Sequence, residues 1–211
     1  MSSNEDLVRT LIAQGIRDER VLDAVRAIRR EAFVPPASRR RAYEDAPLPI
    51  PHGQVTTQPS LSARMIEGLA LSGEERVLEI GTGHGFQTAL LATLARDVWS
   101  VERWKDLADT ARANLRRRGL NNVSVVVGDG TLGLPGEAPF DAILVSAAFP
   151  RVPGPLAAQL VTGGRLVQPI GPGGREDVTL FAAAGGELHR EELVTRAHFV
   201  RLVGAHGYGD A

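Results

Sequence analysis

Apolar and polar positions follow two rhythms along the 211 residues, and each change of rhythm marks an element. The first thirty residues repeat at helical spacing. Leu7, Leu11 and Ile12 recur behind polar Ser3 and Asn4, and Asp18 is placed to cap a second helix with Val21, Leu22, Val25 and Ile28 on one face. Phe33-Val34-Pro35-Pro36 stops that helix. Residues 37–58, rich in Pro, Gly and polar side chains, read as a long irregular loop, and compact domains seldom keep such a loop without a use for it. From residue 59 amphipathic stretches alternate with short apolar runs. They predict helices over 59–71, 86–95, 105–118 and 153–161, and strands over 76–80, 98–102, 123–127, 141–147 and 165–170. Strand patterns recur at 177–183 and 197–203 with no helix between them. The fold class that follows is α/β: a doubly wound, seven-stranded, mostly parallel sheet with an antiparallel edge hairpin and an N-terminal helical extension. One domain is expected over 1–211, with the N-terminal helices and loop in 1–58 and the α/β core in 59–211.

Composition narrows the function. Hydrophobic residues make up 43% and charged residues 23%, so a packed core can form. The formal net charge of −1 gives no bulk attraction for nucleic acid or an anionic membrane. There is no cysteine, which excludes disulfides, thiolate metal sites and a cysteine nucleophile. Neither a signal peptide nor a run of roughly 18 apolar residues is present, so a cytoplasmic, monomeric protein is expected. His189, His198 and His206 lack metal-ligand spacing, and no metal is expected.

The chemistry concentrates at three expected strand ends. Glu79-Ile80-Gly81-Thr82-Gly83-His84-Gly85 is a strand running into a glycine-rich turn that opens a helix. Glycines there let the backbone bend and approach a ligand. The spacing differs from the dinucleotide pattern, because Phe86 stands where its last glycine would be, and the acid before the turn suits a cationic ligand end better than a phosphate. His84 reads as an ordinary turn residue. Glu102 ends the next strand, 21 residues after Gly81, where an acid accepts from ribose hydroxyls. Gly128-Asp129-Gly130 follows the third strand, and a short acid between glycines suits an adenine amino group. Together they describe an adenosine pocket with a cationic end and no phosphate site, which fits S-adenosylmethionine.

The chain resembles the protein-L-isoaspartate O-methyltransferases, within the class I S-adenosylmethionine-dependent methyltransferases and their Rossmann-like fold. The resemblance rests on Phe33-Val34-Pro35, Ala42 to Ile50, His52-Gly53-Gln54, Gln58-Pro59 and Val77 to Gln87. It continues through Ser100 to Arg103, Gly128-Asp129-Gly130, Ala138 to Val145 and Gly163 to Val167, and covers roughly residues 18–207. It implies methyl transfer to the α-carboxyl group of L-isoaspartyl residues, and some D-aspartyl residues, in damaged proteins. It also implies Glu79, Gly81, Thr82, Gly83, Gly85, Glu102, Asp129 and Gly130 as cofactor residues. The family loop that usually reads Gln-Thr-Ile-Ser-Gln-Pro is Gln54-Val55-Thr56-Thr57-Gln58-Pro59 here, so Thr57 stands at the serine position as the catalytic hydroxyl. Thr56 is the other candidate for that contact. His52, Gln54, Thr56 and Ser146 are implied on the substrate side. An alternative keeps fold and cofactor but takes a dedicated peptide or protein as substrate. The chain ends close behind its last expected strand without an added segment, which favours general repair. A third reading is a cofactor-binding scaffold without activity, and the full set of turn and strand-end residues speaks against it.

Overall fold

Ser3 opens the first helix through a reciprocal cap, its hydroxyl accepting from the Asp6 N–H while the Asp6 carboxylate accepts from the Ser3 N–H. The computed structural model describes residues 3–172 and 174–209, so the outermost residues of the expected 1–211 domain lie outside it. Helix α1 (Asn4–Ala13) buries Leu7, Val8 and Leu11, and α2 (Glu19–Ala27), capped by Asp18, buries Val21, Leu22 and Val25. Ile12, expected on the buried face, is exposed, and Val8 takes its place.

Residues 37–58 are more regular than their composition suggests. 3-10 turns cover Arg30–Phe33 and Pro36–Arg41, and a small hairpin pairs β1 (Leu48–Pro49) with β2 (Val55–Thr56). The core follows as α3 (Pro59–Leu69), β3 (Arg76–Ile80), α4 (Phe86–Leu94), β4 (Asp97–Glu102), α5 (Lys105–Arg117) and β5 (Val123–Val127). It continues as β6 (Phe140–Val145), α6 (Gly154–Ala158), β7 (Leu160–Ile170), β8 (Glu176–Ala184) and β9 (Glu187–Ala197). The large sheet has the order β5-β4-β3-β6-β7-β8-β9, parallel from β5 to β7 and antiparallel beyond.

Alternate residues of the central strands feed two cores. Val77, Ala142, Leu144 and Val167 pack under α1 to α4, while Leu78, Ile80, Ile143, Val145 and Leu166 pack on the other face with Leu156. The edge hairpin is present, but its second strand is β9 rather than 197–203. Gly185 and Gly186, both at positive φ, form the tight turn after β8, and β9 then runs along the sheet edge with a mostly polar, exposed sequence. Residues 198–203 run on from β9, with isolated bridges from Arg201 to Ala148 and from Val203 to Tyr208. Helix α6 is shorter than expected because β7 already begins at Leu160. Gly163, at φ +82°, and Gly164, where a Cβ would stand 2.8 Å from the Asp141 carbonyl, let β7 bend onto β6.

A buried carboxylate fixes the start of the glycine turn. Glu79, fully buried on β3, accepts from the Thr88 hydroxyl (2.5 Å), the Ser100 hydroxyl (2.6 Å) and the Gln87 amide (3.1 Å). Because Ser100 donates to Glu79, the 2.6 Å contact between Thr82 and Ser100 requires Thr82 to donate. The chain Thr82 to Ser100 to Glu79 thus ties the turn to β4 and β3. Burial pushes the Glu79 carboxyl up to about 7, against the pull of these three donors.

An unfolded chain ionises that carboxyl near its ordinary 4.5, so the folded state binds the proton more tightly across the window between the two values. The contribution of Glu79 to stability therefore falls as pH rises through that window and levels off above about 7. In urea titrations, the stability of the wild type relative to Glu79→Gln is expected to fall by up to about 3 kcal/mol between about pH 4.5 and about pH 7.5. A difference independent of pH would show that Glu79 stays ionised throughout.

Candidate active site

The strand order reverses between β3 and β6, and at that point the two strands diverge. The Gly81 N–H donates to the Val101 carbonyl and the Ser146 N–H to the Ile80 carbonyl, both at 2.9 Å, after which the turn and the Ser146 segment separate. Open α/β sheets bind ligands at such a switch point. The cleft that opens there holds about 880 Å³, its mouth included, and is walled by Gly81, Thr82, Gly83, Glu102, Gly130 and Ser146 among polar or small groups. Ile50, Ile80, Phe86, Val101 and Leu107 supply apolar walls, as a nucleoside-sized ligand requires.

Gly81 and Gly83 sit at φ +97° and +55°, and a Cβ on Gly83 would stand 3.4 Å from Ile50 across the cleft. A side chain there would strain the backbone and narrow the cleft. Glu102 ends β4 with Oε2 accepting from the Gly83 N–H (2.8 Å) and Oε1 from the Trp104 N–H (3.0 Å). Burial raises its carboxyl above the usual range although these N–H groups favour the charged form. Gly130 closes against Ile80, whose Cγ2 would lie 2.4 Å from an added Cβ.

Three expected cofactor residues stand behind the wall rather than in it. Glu79 is occupied by its three donors. Gly85, at φ +90°, packs against Ala111 and Leu115 of α5 and turns the chain into α4. Asp129, expected against adenine, accepts from the N–H and hydroxyl of Thr131 and from the Ala205 N–H, so it anchors the C-terminal loop. His84, read as a turn residue, is buried in the cleft wall, and burial lowers its imidazole below the ordinary value, favouring the neutral ring.

A second groove, of about 1030 Å³ with its mouth, meets the cleft. Val55, Thr57, Ser146 and Val200 line both spaces. Thr57 is half-buried and its hydroxyl makes no hydrogen bond to any described residue. The Ser146 hydroxyl accepts from the Gln87 amide at 2.7 Å, which leaves its own proton to donate. Thr56 lines the first cleft but not the second groove; it is buried, and its hydroxyl accepts from Arg30 at 2.9 Å. Gln54 lines the cleft and donates to the His52 carbonyl. His52 does not line either space. Its ring stacks on Trp104 with centroids 4.0 Å apart, and its Nε2 lies 2.9 Å from both oxygens of Asp106, so it clasps the β1–β2 hairpin to the start of α5. Arg30, Phe86 and Trp104 carried no expectation. Each is a side chain whose role depends on partners far away in sequence.

Residues 2–207 match the family model for protein-L-isoaspartate(D-aspartate) O-methyltransferase. A protein-L-isoaspartate O-methyltransferase of Methanoculleus marisnigri is 51% identical over 205 residues, covering 97% of this chain and 93% of the relative. Among solved structures, a protein-L-isoaspartate O-methyltransferase 31% identical aligns with a TM-score of 0.82 over 94% of this chain, which spans 65% of that structure's length. A Plasmodium falciparum structure in complex with S-adenosyl-L-homocysteine shares the fold at a TM-score of 0.81 and 22% identity, covering 96% of this chain and 99% of that one. The turn, the switch-point cleft and the loop that carries Thr57 therefore sit in a chain that belongs to the protein-L-isoaspartate(D-aspartate) O-methyltransferase family.

Proposed function

We propose that the protein moves a methyl group from S-adenosylmethionine to the α-carboxyl group of L-isoaspartyl residues, and of some D-aspartyl residues, in damaged proteins. The observation that carries this reading is the junction at Thr57 and Ser146, where a nucleoside-sized cleft opens onto a second groove. One space suits the methyl donor and the other a peptide, and transfer takes place where they meet.

The cleft fits its ligand on its own chemistry. Glu102 presents a carboxylate fixed by two backbone N–H groups, suited to ribose hydroxyls, and the glycines keep the backbone close. Bound there, S-adenosylmethionine supplies an electrophilic methyl on a sulfonium, with a neutral thioether as leaving group. The acceptor needs no general base, since a carboxylate with pKa about 4 is ionised at neutral pH. What the protein adds is alignment. The Thr57 hydroxyl would donate to one carboxylate oxygen, with the Ser146 hydroxyl across the junction, leaving the other oxygen free to take the methyl. Transfer would form the bond from oxygen to methyl and break the bond from sulfur to methyl, giving the methyl ester and a thioether. The neighbouring backbone nitrogen then attacks the ester carbonyl without the enzyme, methanol leaves, and water opens the succinimide to aspartate or isoaspartate.

The finer expectations, a monomer acting in the cytoplasm, belong to the same proposal.

Thr57→Ala is expected to lower kcat on an isoaspartyl peptide roughly 10- to 100-fold while calorimetric affinity for S-adenosylmethionine changes less than about threefold. Thr57→Ser should restore most of the rate, because it keeps the donor. Gly83→Val should do the reverse and weaken cofactor affinity at least about tenfold through backbone strain and contact with Ile50. Full turnover in Thr57→Ala together with unchanged affinity in Gly83→Val would remove both assignments.

A further inference from the structure

The largest fully buried side chain belongs to Arg30, which ends up facing backbone oxygens instead of an acid. Its Nη1 donates to the carbonyls of Ala42 (3.2 Å) and Glu44 (3.0 Å). Its Nη2 donates to the Ala46 carbonyl (2.9 Å), the Thr56 hydroxyl (2.9 Å) and the Thr57 carbonyl (3.1 Å). One guanidinium thus gathers both arms of the segment from residue 42 to residue 57. Its carbon also lies 5.6 Å from the centroid of Phe86, the first residue of α4 and part of the cleft wall. Phe33 supports Phe86 from the side, with ring centroids 6.1 Å apart.

The plane of the group therefore ties the substrate-side loop to the element that follows the glycine turn. Burial lowers the guanidinium to about 10, so it keeps its charge at neutral pH. Taking such a charge from water is costly, and five oxygen acceptors offset that cost only while the loop holds its present path. The same bonds set the two threonines apart, and of the two only Thr57 lines both spaces. The Thr56 hydroxyl is held inward by Nη2, whereas Thr57 gives Arg30 only its carbonyl and keeps its hydroxyl at the junction.

We infer that Arg30 is a positioning residue for methyl transfer: it sets the path of residues 56–57 so that the Thr57 hydroxyl, and not that of Thr56, meets the substrate carboxylate. The inference rests on the function proposed above. A lysine would keep the charge but has a single point of donation, which does not span both arms of the loop.

The test is a double-mutant cycle in the full-length protein, read by kcat and KM on an isoaspartyl peptide and by calorimetric binding of S-adenosylmethionine. Arg30→Lys, checked for folding by circular dichroism, is expected to lose at least about tenfold in kcat while cofactor affinity stays within about threefold. In a Thr57→Ala background the same change should cost less than about threefold, because the hydroxyl it places is gone. Should Arg30→Lys not fold, Thr56→Val removes one acceptor at nearly constant volume. It is expected to cost roughly 3- to 10-fold in kcat, again largely lost in the Thr57→Ala background. Four results would overturn the inference. They are wild-type kcat in the folded variant, a loss equal in both backgrounds, cofactor affinity falling in step with kcat, and Thr56→Val more damaging than Thr57→Ala. If the wild type itself transfers no methyl to the peptide, the functional reading fails and the role of Arg30 fails with it.

Discussion

The reversal of strand order between β3 and β6 is the constraint on which the rest of the site depends. Parallel strands held by two-sided burial end at a common edge, and where neighbouring connections leave in opposite directions that edge opens. Everything that follows adapts to this opening. The turn after β3 needs glycines at positive φ to stay close to it, β4 needs an acid at its end to face it, and β6 needs a small hydroxyl residue, Ser146, on its far lip. The hairpin of β1 and β2 then covers one side, with His52 stacked on Trp104 as the clasp.

Two buried ionisable groups hold this arrangement, and they work differently. Glu79 receives three short-range donors from α4 and β4, so its environment is local and compact, and burial, with the charge of Glu102 adding to it, lifts its proton affinity. Arg30 donates through both terminal nitrogens, mostly to carbonyls, while its Nε finds no partner among the described residues, and the segment it holds has little core of its own; among its buried residues Val34, Ala42 and Leu48 form only a small cluster. The first group shapes the cofactor turn and the second shapes the loop opposite. Neither lines the cleft or the groove beside it.

The sequence carried the sheet and the turn plainly because their rules are local. Continuous Val, Ile and Leu runs mark strands buried on both faces, and Gly81 and Gly83 mark a turn that other residues strain to make. The last strand was less legible. Glu187–Ala197 lies on an edge with both sides largely wet, so its side chains show no apolar alternation, and the neighbouring apolar run at 198–203 drew the expectation instead. Long-range partners account for the other departures. Arg29 and Arg30 are identical neighbours in the chain, but Arg29 pairs with Glu31 at the surface while Arg30 is buried under residues 42–57. Asp129 is drawn to Ala205, 76 positions further on, and the sequence around it reads only as a turn. The choice between Thr56 and Thr57 was open for the same reason, since it turns on a hydrogen bond from residue 30.

Central to the proposed function is that a carboxylate delivered by an isoaspartyl linkage, and not by a normal L-aspartyl one, reaches the Thr57 junction. The most direct measurement is methyl transfer from radiolabelled S-adenosylmethionine to two short peptides that differ only in an isoaspartyl or a normal aspartyl linkage. Label appearing on the isoaspartyl peptide alone, as a base-labile ester, is the predicted result. Equal labelling of both peptides, or no labelling of either while calorimetry shows the cofactor bound, would contradict it.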